Sequence, residues 1–496
     1  MRMSWNLWIG LLAISAIAVS LLNLERGRSG LEITQTEVGT TPVTLTRKGG
    51  DSGPVVVIAH GFAGSRQLMQ AYSLTLAHSG YTVLSFDFEG HGRNPEPMSG
   101  DVTSIDGTTA LLVDETRRVI AHGRELPAAA GGLALLGHSM ATDILVRAAI
   151  AEGRQGSPVD AVVAISMFSE AVTAQEPRRL LAISGQWERA LRAVALSAIR
   201  LVEPDAQEGQ TVETDGVARR AAVAPYVEHV GVLYSATALR EARDWLDAAF
   251  GRQSETLIIQ PGLWILLLMG GIVLLMRPLV ALLPTIPREP APVSALRFWV
   301  AVAVPALLVP LVATTLYVPF LPVLVADYLM IHLALYGVLQ FLLLRGGKWK
   351  GSGISMSAVI VLVIWGVVVF GAAMDRYAAS FMPNAERLMI IAILAIGTVP
   401  FMISDSYTSG AGSGVWWRRL AARAAILVSL GGAAMIDPER LMFLFLILPV
   451  LVLFFCVHGL MGRWVAQRSG PLSAGAGLGL CLAWALGVSF PLFSAG

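Results

Sequence analysis

Charge is scarce in this chain: Asp, Glu, Lys and Arg make up 14% of its 496 residues, against about a quarter in an ordinary soluble protein. Much of the surface must therefore face lipid. The shortage is uneven, because residues 25–255 hold 21 Lys and Arg with 28 Asp and Glu, leaving 15 and 7 for all the rest. A polar, mildly acidic segment is joined to a greasy one. The polar segment shows no basic patch or basic helix, so nucleic acid is not an expected partner. Cysteine is nearly absent: Cys456 and Cys481 both fall in apolar runs, which excludes a disulfide within the polar segment. That leaves the compartment open, since a domain of this size has core enough to fold without disulfides. No cluster with metal-ligand spacing and no glycine-rich phosphate loop occurs, so neither a metal nor a cofactor is expected.

Apolar runs of membrane-spanning length are abundant. Residues 5–24 form one uncharged run after Arg2, and about 20 such residues cross the hydrocarbon core as a helix. The run is longer than a signal-peptide core, and its small-residue triplet Ala16-Ile17-Ala18 lies inside it, which points to an uncleaved anchor. Eight further spans are expected at 257–276, 295–316, 320–344, 356–374, 388–404, 420–436, 441–460 and 472–493. The links alternate in basic content. Arg277, Arg288 and Arg297, then Arg345, Lys348 and Lys350, then Arg418, Arg419 and Arg423, and finally Arg463 and Arg468 mark the rich ones. The poor ones hold only Arg376, Arg387 and Arg440. The positive-inside rule places the 11 residues of the rich links in the cytoplasm and the 3 of the poor links outside. The polar segment and the C-terminus then lie outside, as expected of an integral protein of a bacterial inner membrane with a periplasmic domain. The expected division is an anchor at 1–27, a polar domain at 28–255 and a polytopic domain at 256–496.

Between the first two spans short apolar strands alternate with amphipathic helices, the pattern of a mostly parallel sheet covered on both faces. Eight strands are expected, at 31–38, 42–48, 54–59, 81–87, 132–137, 159–165, 179–184 and 218–224. Helices fit at 66–79, 107–122, 140–152, 187–201 and 236–250.

Gly137-His138-Ser139-Met140-Ala141 follows one of these strands and opens a helix, the setting in which a sharp turn lifts a serine hydroxyl above a sheet. Ala141 stands where such turns commonly carry glycine. Ser139 is the candidate nucleophile. His60-Gly61-Phe62-Ala63-Gly64 ends the third strand, where the backbone N–H groups of Phe62 and Met140 would bind a developing oxyanion. His60 itself is expected to pack that loop. The base must come late in the chain, and His229 lies between the last strand and the last helix. His78, His122 and His138 are expected to be surface or turn histidines. The acid should leave strand 179–184, and Glu188 stands three residues past its terminal glycine; Glu203, Asp205 and Asp215 are competitors.

With Phe86-Asp87-Phe88-Glu89-Gly90-His91-Gly92-Arg93 beside His60-Gly61-Phe62, residues 31–250 resemble the α/β-hydrolase superfamily and are similar to its lysophospholipase and monoacylglycerol-lipase-like serine hydrolases. The resemblance implies hydrolysis of a small-molecule or lipid ester through an acyl-enzyme, with Ser139, His229 and Glu188 as the triad, and a loop shaped by Asp87 and His91. It does not extend to the eight-span region. Only about a dozen residues separate the strands at 159–165 and 179–184, where many relatives insert a cap, so an open site bordered by the loop Met167–Arg178 is expected.

Asp327 and His332, within one expected span, form a candidate intramembrane site. Gly475, Gly479, Ala483 and Gly487 form a small-residue seam for helix packing. Two other functions compete with ester or thioester hydrolysis: a transporter or scaffold whose hydrolase-like domain only binds a ligand, and an acyltransferase with an acceptor other than water.

Overall fold

The computed structural model describes residues 2–50, 53–101, 105–286, 293–345, 353–410, 412 and 414–494. Arg288, Lys348 and Lys350, used in the orientation argument, lie outside the described residues. The chain divides into two compact units. One comprises Leu21–Leu266, Asp375–Ser380 and the segment from Pro491; the other comprises the chain up to Ser20 with Leu267–Met374 and Phe381–Phe490.

The first unit is built on a nine-stranded sheet in the order β1-β2-β4-β3-β5-β6-β7-β9-β8. Its strands are β1 (Leu31–Val38), β2 (Thr41–Lys48), β3 (Val55–Ala59), β4 (Thr82–Phe86), β5 (Leu133–His138), β6 (Ala161–Ile165), β7 (Arg179–Gly185), β8 (Thr211–Thr214) and β9 (Val217–Ala224). From β4 through β9 neighbours pair in parallel, while β1, β2 and β8 run antiparallel at the edges. All eight expected strands form. The ninth, β8, lacks an apolar run because it is a mostly exposed edge strand, tied to β9 through the turn at Asp215-Gly216.

β3 to β6 are buried throughout, which is why they are largely apolar, with β-branched residues dominating β3 and β6. On one face Ile58, Val83, Leu136, Val163 and Ile183 pack with Tyr72 and Leu76 of α2 (Gln70–His78) and Leu239 and Leu246 of α6 (Ala236–Ala249). On the other, α3 (Ala110–Glu125) brings Gly123 against Val55, Leu84 and Leu133. Each such apolar side chain contributes about 1.5–3 kcal/mol on burial. Helices α4 (Met140–Arg154) and α5 (Arg189–Arg200) complete the crossovers.

Two outlying segments join this unit through backbone hydrogen bonds: Leu492 exchanges them with Gly90 and Met98, at 2.8 Å each. The Ser380 amide donates to the Ser65 hydroxyl at 3.0 Å.

Among the described residues nine helices are long and apolar enough to cross a membrane, one near the N-terminus and eight after residue 261. The expected span at 257 begins instead at Gly262, with α7 (Gly262–Leu279). Residues 254–259 are held out of the helix: the Thr256 carbonyl accepts from Arg243 at 2.8 Å, and the Ile259 amide donates to Thr75 at 3.2 Å. The span expected at 320 begins at Ala326, with α9 (Ala326–Arg345), because Pro319 and Pro322 interrupt the preceding apolar run. The other helices after residue 261 include α8 (Ala295–Leu316), α10 (Met356–Val363), α11 (Phe370–Tyr377), α12 (Ala385–Thr408), α13 (Trp416–Ile436), the short α14 (Pro438–Leu441) and α15 (Leu444–Ser489). α15 is broken at Gly470-Pro471 into two spans. The small-residue seam lies along α12, with Gly475 beside Ile403 and Gly479 beside Val399.

Candidate active site

Ser139 stands between β5 and α4 with φ 54° and ψ −119°, a conformation L-residues rarely adopt. The surrounding packing compels it. A Cβ on Gly137 would lie 2.5 Å from Leu145 of the following helix, so only glycine lets strand and helix approach this closely. Ala141 is fully buried there, its one methyl accommodated. The Ser139 amide donates to the Ile165 carbonyl at 2.9 Å, continuing the β5–β6 pairing, and Thr142 donates back to the Ser139 carbonyl.

β9 ends in a loop carrying His229, and β7 ends in a turn carrying Glu188. His229 Nε2 lies 2.9 Å from Ser139 Oγ, and His229 Nδ1 lies 2.6 Å from Glu188 Oε1. Oε2 of Glu188 accepts from the Gly185 amide at 2.6 Å and from the Ser166 hydroxyl at 2.9 Å. Burial pulls the Glu188 carboxyl upward, yet hydrogen bonds from His229, the Gly185 amide and Ser166 together hold it below the usual carboxylate range. It is therefore an anion facing the imidazole. The side chain of His229 is 44% exposed and that of Glu188 only 6%, so the imidazole meets solvent while the carboxylate does not. The competitors lie elsewhere: Asp205 is in the loop after α5 and Asp215 in the β8–β9 turn.

The structure places Phe62 in the loop after β3 and Met140 at the first position of α4, where a helix leaves an amide without an intrahelical acceptor. His60 is fully buried, its ring packed against Phe88 and His91. One ring nitrogen donates to the Gly61 carbonyl at 2.7 Å, and the other accepts the Phe88 amide at 3.2 Å. Burial lowers its pKa, which keeps it neutral. The Asp87 carboxylate accepts the Arg66 and Arg93 amides and fixes the neighbouring loop.

His138 departs from the sequence expectation. It is neither a surface nor a turn histidine: it is 4% exposed, and its Nε2 donates to the backbone carbonyl of His229 at 2.9 Å. Burial, with the neighbouring His229 adding to it, pushes this imidazole down to about 4. Its place beside the serine hides this role, because the partner is 91 residues away. Ser166 and Thr142 likewise carry no signal of their contacts in the local sequence. Thr142 Oγ1 accepts the Phe168 amide at 3.0 Å and so ties the loop after β6 to the serine turn.

Asp327 and His332 share no hydrogen bond with each other. Asp327 accepts the amides of Phe320 and Leu321, at 2.7 and 3.1 Å, and closes the turn before α9. His332 is buried, with Tyr328 and Ser429 each at 3.0 Å from one of its ring nitrogens. Among the described residues no group of three or more His, Cys, Asp or Glu could hold a metal.

The strand order, with the serine at the β5–α4 turn and the histidine after the last parallel strand, is that of the α/β-hydrolase fold, which residues 31–250 adopt. Residues 50–236 match the family model described as Serine aminopeptidase, S33, and the later helices are not matched. No curated protein matches the chain in sequence. Among solved structures, an epoxide hydrolase mutant from Vigna radiata is 22% identical over 28% of this chain and 40% of its own length, with a TM-score of 0.23. A dienelactone hydrolase from Anabaena variabilis is 16% identical over 45% of this chain and 96% of its own, with a TM-score of 0.33. A hormone-sensitive lipase from a metagenome library is 15% identical over 50% and 98%, with a TM-score of 0.34. The chain thus covers less than half of the Vigna radiata enzyme.

Proposed function

We propose that residues 28–255 form a serine hydrolase that cleaves the carboxylic ester or thioester of an amphiphilic, lipid-like substrate. The observation that carries this reading is the continuous hydrogen-bonded chain from Ser139 through His229 to Glu188. Ser139 Oγ attacks the acyl carbon as His229 takes its proton, and Glu188 stabilises the imidazolium. The tetrahedral oxyanion is received by the amides of Phe62 and Met140, donors fixed before the reaction begins. His229 returns the proton to the leaving group, and water repeats the sequence on the acyl-enzyme.

The substrate class is supported by what rims the site. Phe168, Trp187, Tyr226 and Val230 leave the ends of three different strands and are 58%, 63%, 78% and 48% exposed. Solvent-facing aromatics from independent loops bordering one nucleophile suit a hydrocarbon chain, each methylene of which gains about 0.8 kcal/mol on burial. The short Met167–Arg178 loop adds no helical cap. The domain continues into an apolar helix at each end, and we read it as anchored in a bacterial inner membrane, on the extracytoplasmic side. The alternation of basic links supports that orientation.

Membranes containing the protein should react covalently with a fluorophosphonate probe, and Ser139→Ala should abolish labelling and lower ester turnover by about 10⁴-fold or more. Labelling that persists in that variant would remove Ser139 from the chemistry. Turnover of aryl esters should rise with acyl chain length, and Trp187→Ser should weaken the long chains selectively. Faster turnover of aminoacyl nitroanilides than of any ester would favour the peptidase activity named in the family description.

A further inference from the structure

The polytopic unit contains a cavity of about 410 Å³ between α13 and the part of α15 before its break. Three guanidinium groups line one part of it: Arg419 and Arg423 from successive turns of α13, and Arg463 from α15. The remaining wall is apolar and includes Leu427, Val452 and Cys456. A recess sharing the three arginines adds one carboxylate, Asp405 of α12.

The internal partners do not balance this charge. Asp405 lies 3.5 Å from Arg423, whose guanidinium also donates to the Phe455 carbonyl and stacks over the Phe455 ring. Arg463 donates to the neutral Gly412 carbonyl at 3.2 Å. Arg419 has no hydrogen bond or ion pair with any described residue. Three cations therefore face one anion where apolar walls limit the water available to screen them. An anionic group is the missing component, and the wall beside it suits a hydrocarbon chain. All three arginines belong to the basic links, the side of the bundle on which the sequence pattern concentrates positive charge.

We propose that this cavity binds an anionic phospholipid, with its phosphate on Arg419 and Arg463 and an acyl chain along Leu427, Val452 and Cys456. A zwitterionic lipid meets the site less well, because its ammonium group opposes the same excess of positive charge.

The test is native mass spectrometry of the full-length protein released from vesicles of equal parts phosphatidylglycerol and phosphatidylcholine. The protein should retain phosphatidylglycerol preferentially. Arg419→Gln should reduce that preference about fivefold, the loss expected for one basic contact to a head group, and adding Arg463→Gln should reduce it further. Arg297→Gln, at an exposed arginine of α8, should leave it unchanged. Leu427→Trp, which fills the apolar wall and keeps the charges, should also lower retention. Equal retention of the two lipids, or an equal loss in Arg297→Gln and Arg419→Gln, would overturn the proposal. Full displacement of the lipid by millimolar inorganic phosphate would make the cavity a small-anion site instead.

Discussion

Glu188, three positions past the end of β7, is brought by the fold to the imidazole of His229. Its carboxylate is held by an amide, a hydroxyl and an imidazole, so it stays ionised in a place where burial alone would raise its pKa. Glu188→Gln should therefore cut ester turnover by up to about 10⁴-fold, while Asp205→Asn and Asp215→Asn should leave it nearly unchanged. Steady-state rates on one soluble ester decide between them, and a crippled Asp205 or Asp215 variant would move the acid. His138 supports a different prediction. The unfolded imidazole titrates near its ordinary 6.5, whereas the folded one is pushed down to about 4. As pH falls between those values the unfolded chain binds the proton and the folded chain does not, so His138 lowers stability progressively across that window and costs nothing above it. Melting temperatures of the parent and His138→Gln should diverge, to the parent's disadvantage, as pH is lowered from about 6.5 to 4. A difference that stays constant with pH would show that His138 is not buried as a neutral ring.

At the scale of elements, the end of β7 meets both Glu188 and the loop that carries His229. Gly185 donates to Glu188, and a Cβ placed on it would lie 2.6 Å from the Val227 carbonyl, two residues before His229. Gly185→Ala should leave the sheet intact and displace the histidine loop, lowering kcat by roughly 10²-fold with little change in the melting transition. Unchanged kcat would mean that the loop adjusts freely. At this scale the sequence was most legible where burial leaves a strong pattern. β3 to β7 are apolar runs, and their ends mark Ser139 and Glu188. β8 escaped because a four-residue edge strand with one buried side chain, Val212, carries no such signature.

For the whole molecule, the alternation of basic links and an odd number of spans predict that residue 250 and residue 348 lie on opposite faces. Alkaline phosphatase fused after residue 250 should be active and green fluorescent protein dark there, with the reverse result after residue 348. The opposite pattern at residue 250 would put the hydrolase in the cytoplasm and make an extracytoplasmic substrate untenable.

Sequence alone determined the features that depend on local pattern: nine apolar runs of spanning length, the strand and helix alternation, and the turn that exposes Ser139. These follow from hydrophobic periodicity and from glycine at close approaches, both written in contiguous residues. It also narrowed the base to His229 and ranked Glu188 first among several carboxylates, without supplying a contact to separate them. The tertiary structure decided what depends on register between distant segments. β6 and β7 pair so that Ser166 reaches Glu188, and β5 and β9 end so that His138 grips the His229 backbone. It likewise brought Arg419 and Arg463 from separate helices to one cavity. A hydrogen bond between residues 91 positions apart leaves no trace in composition or spacing, because only the folded sheet brings them together.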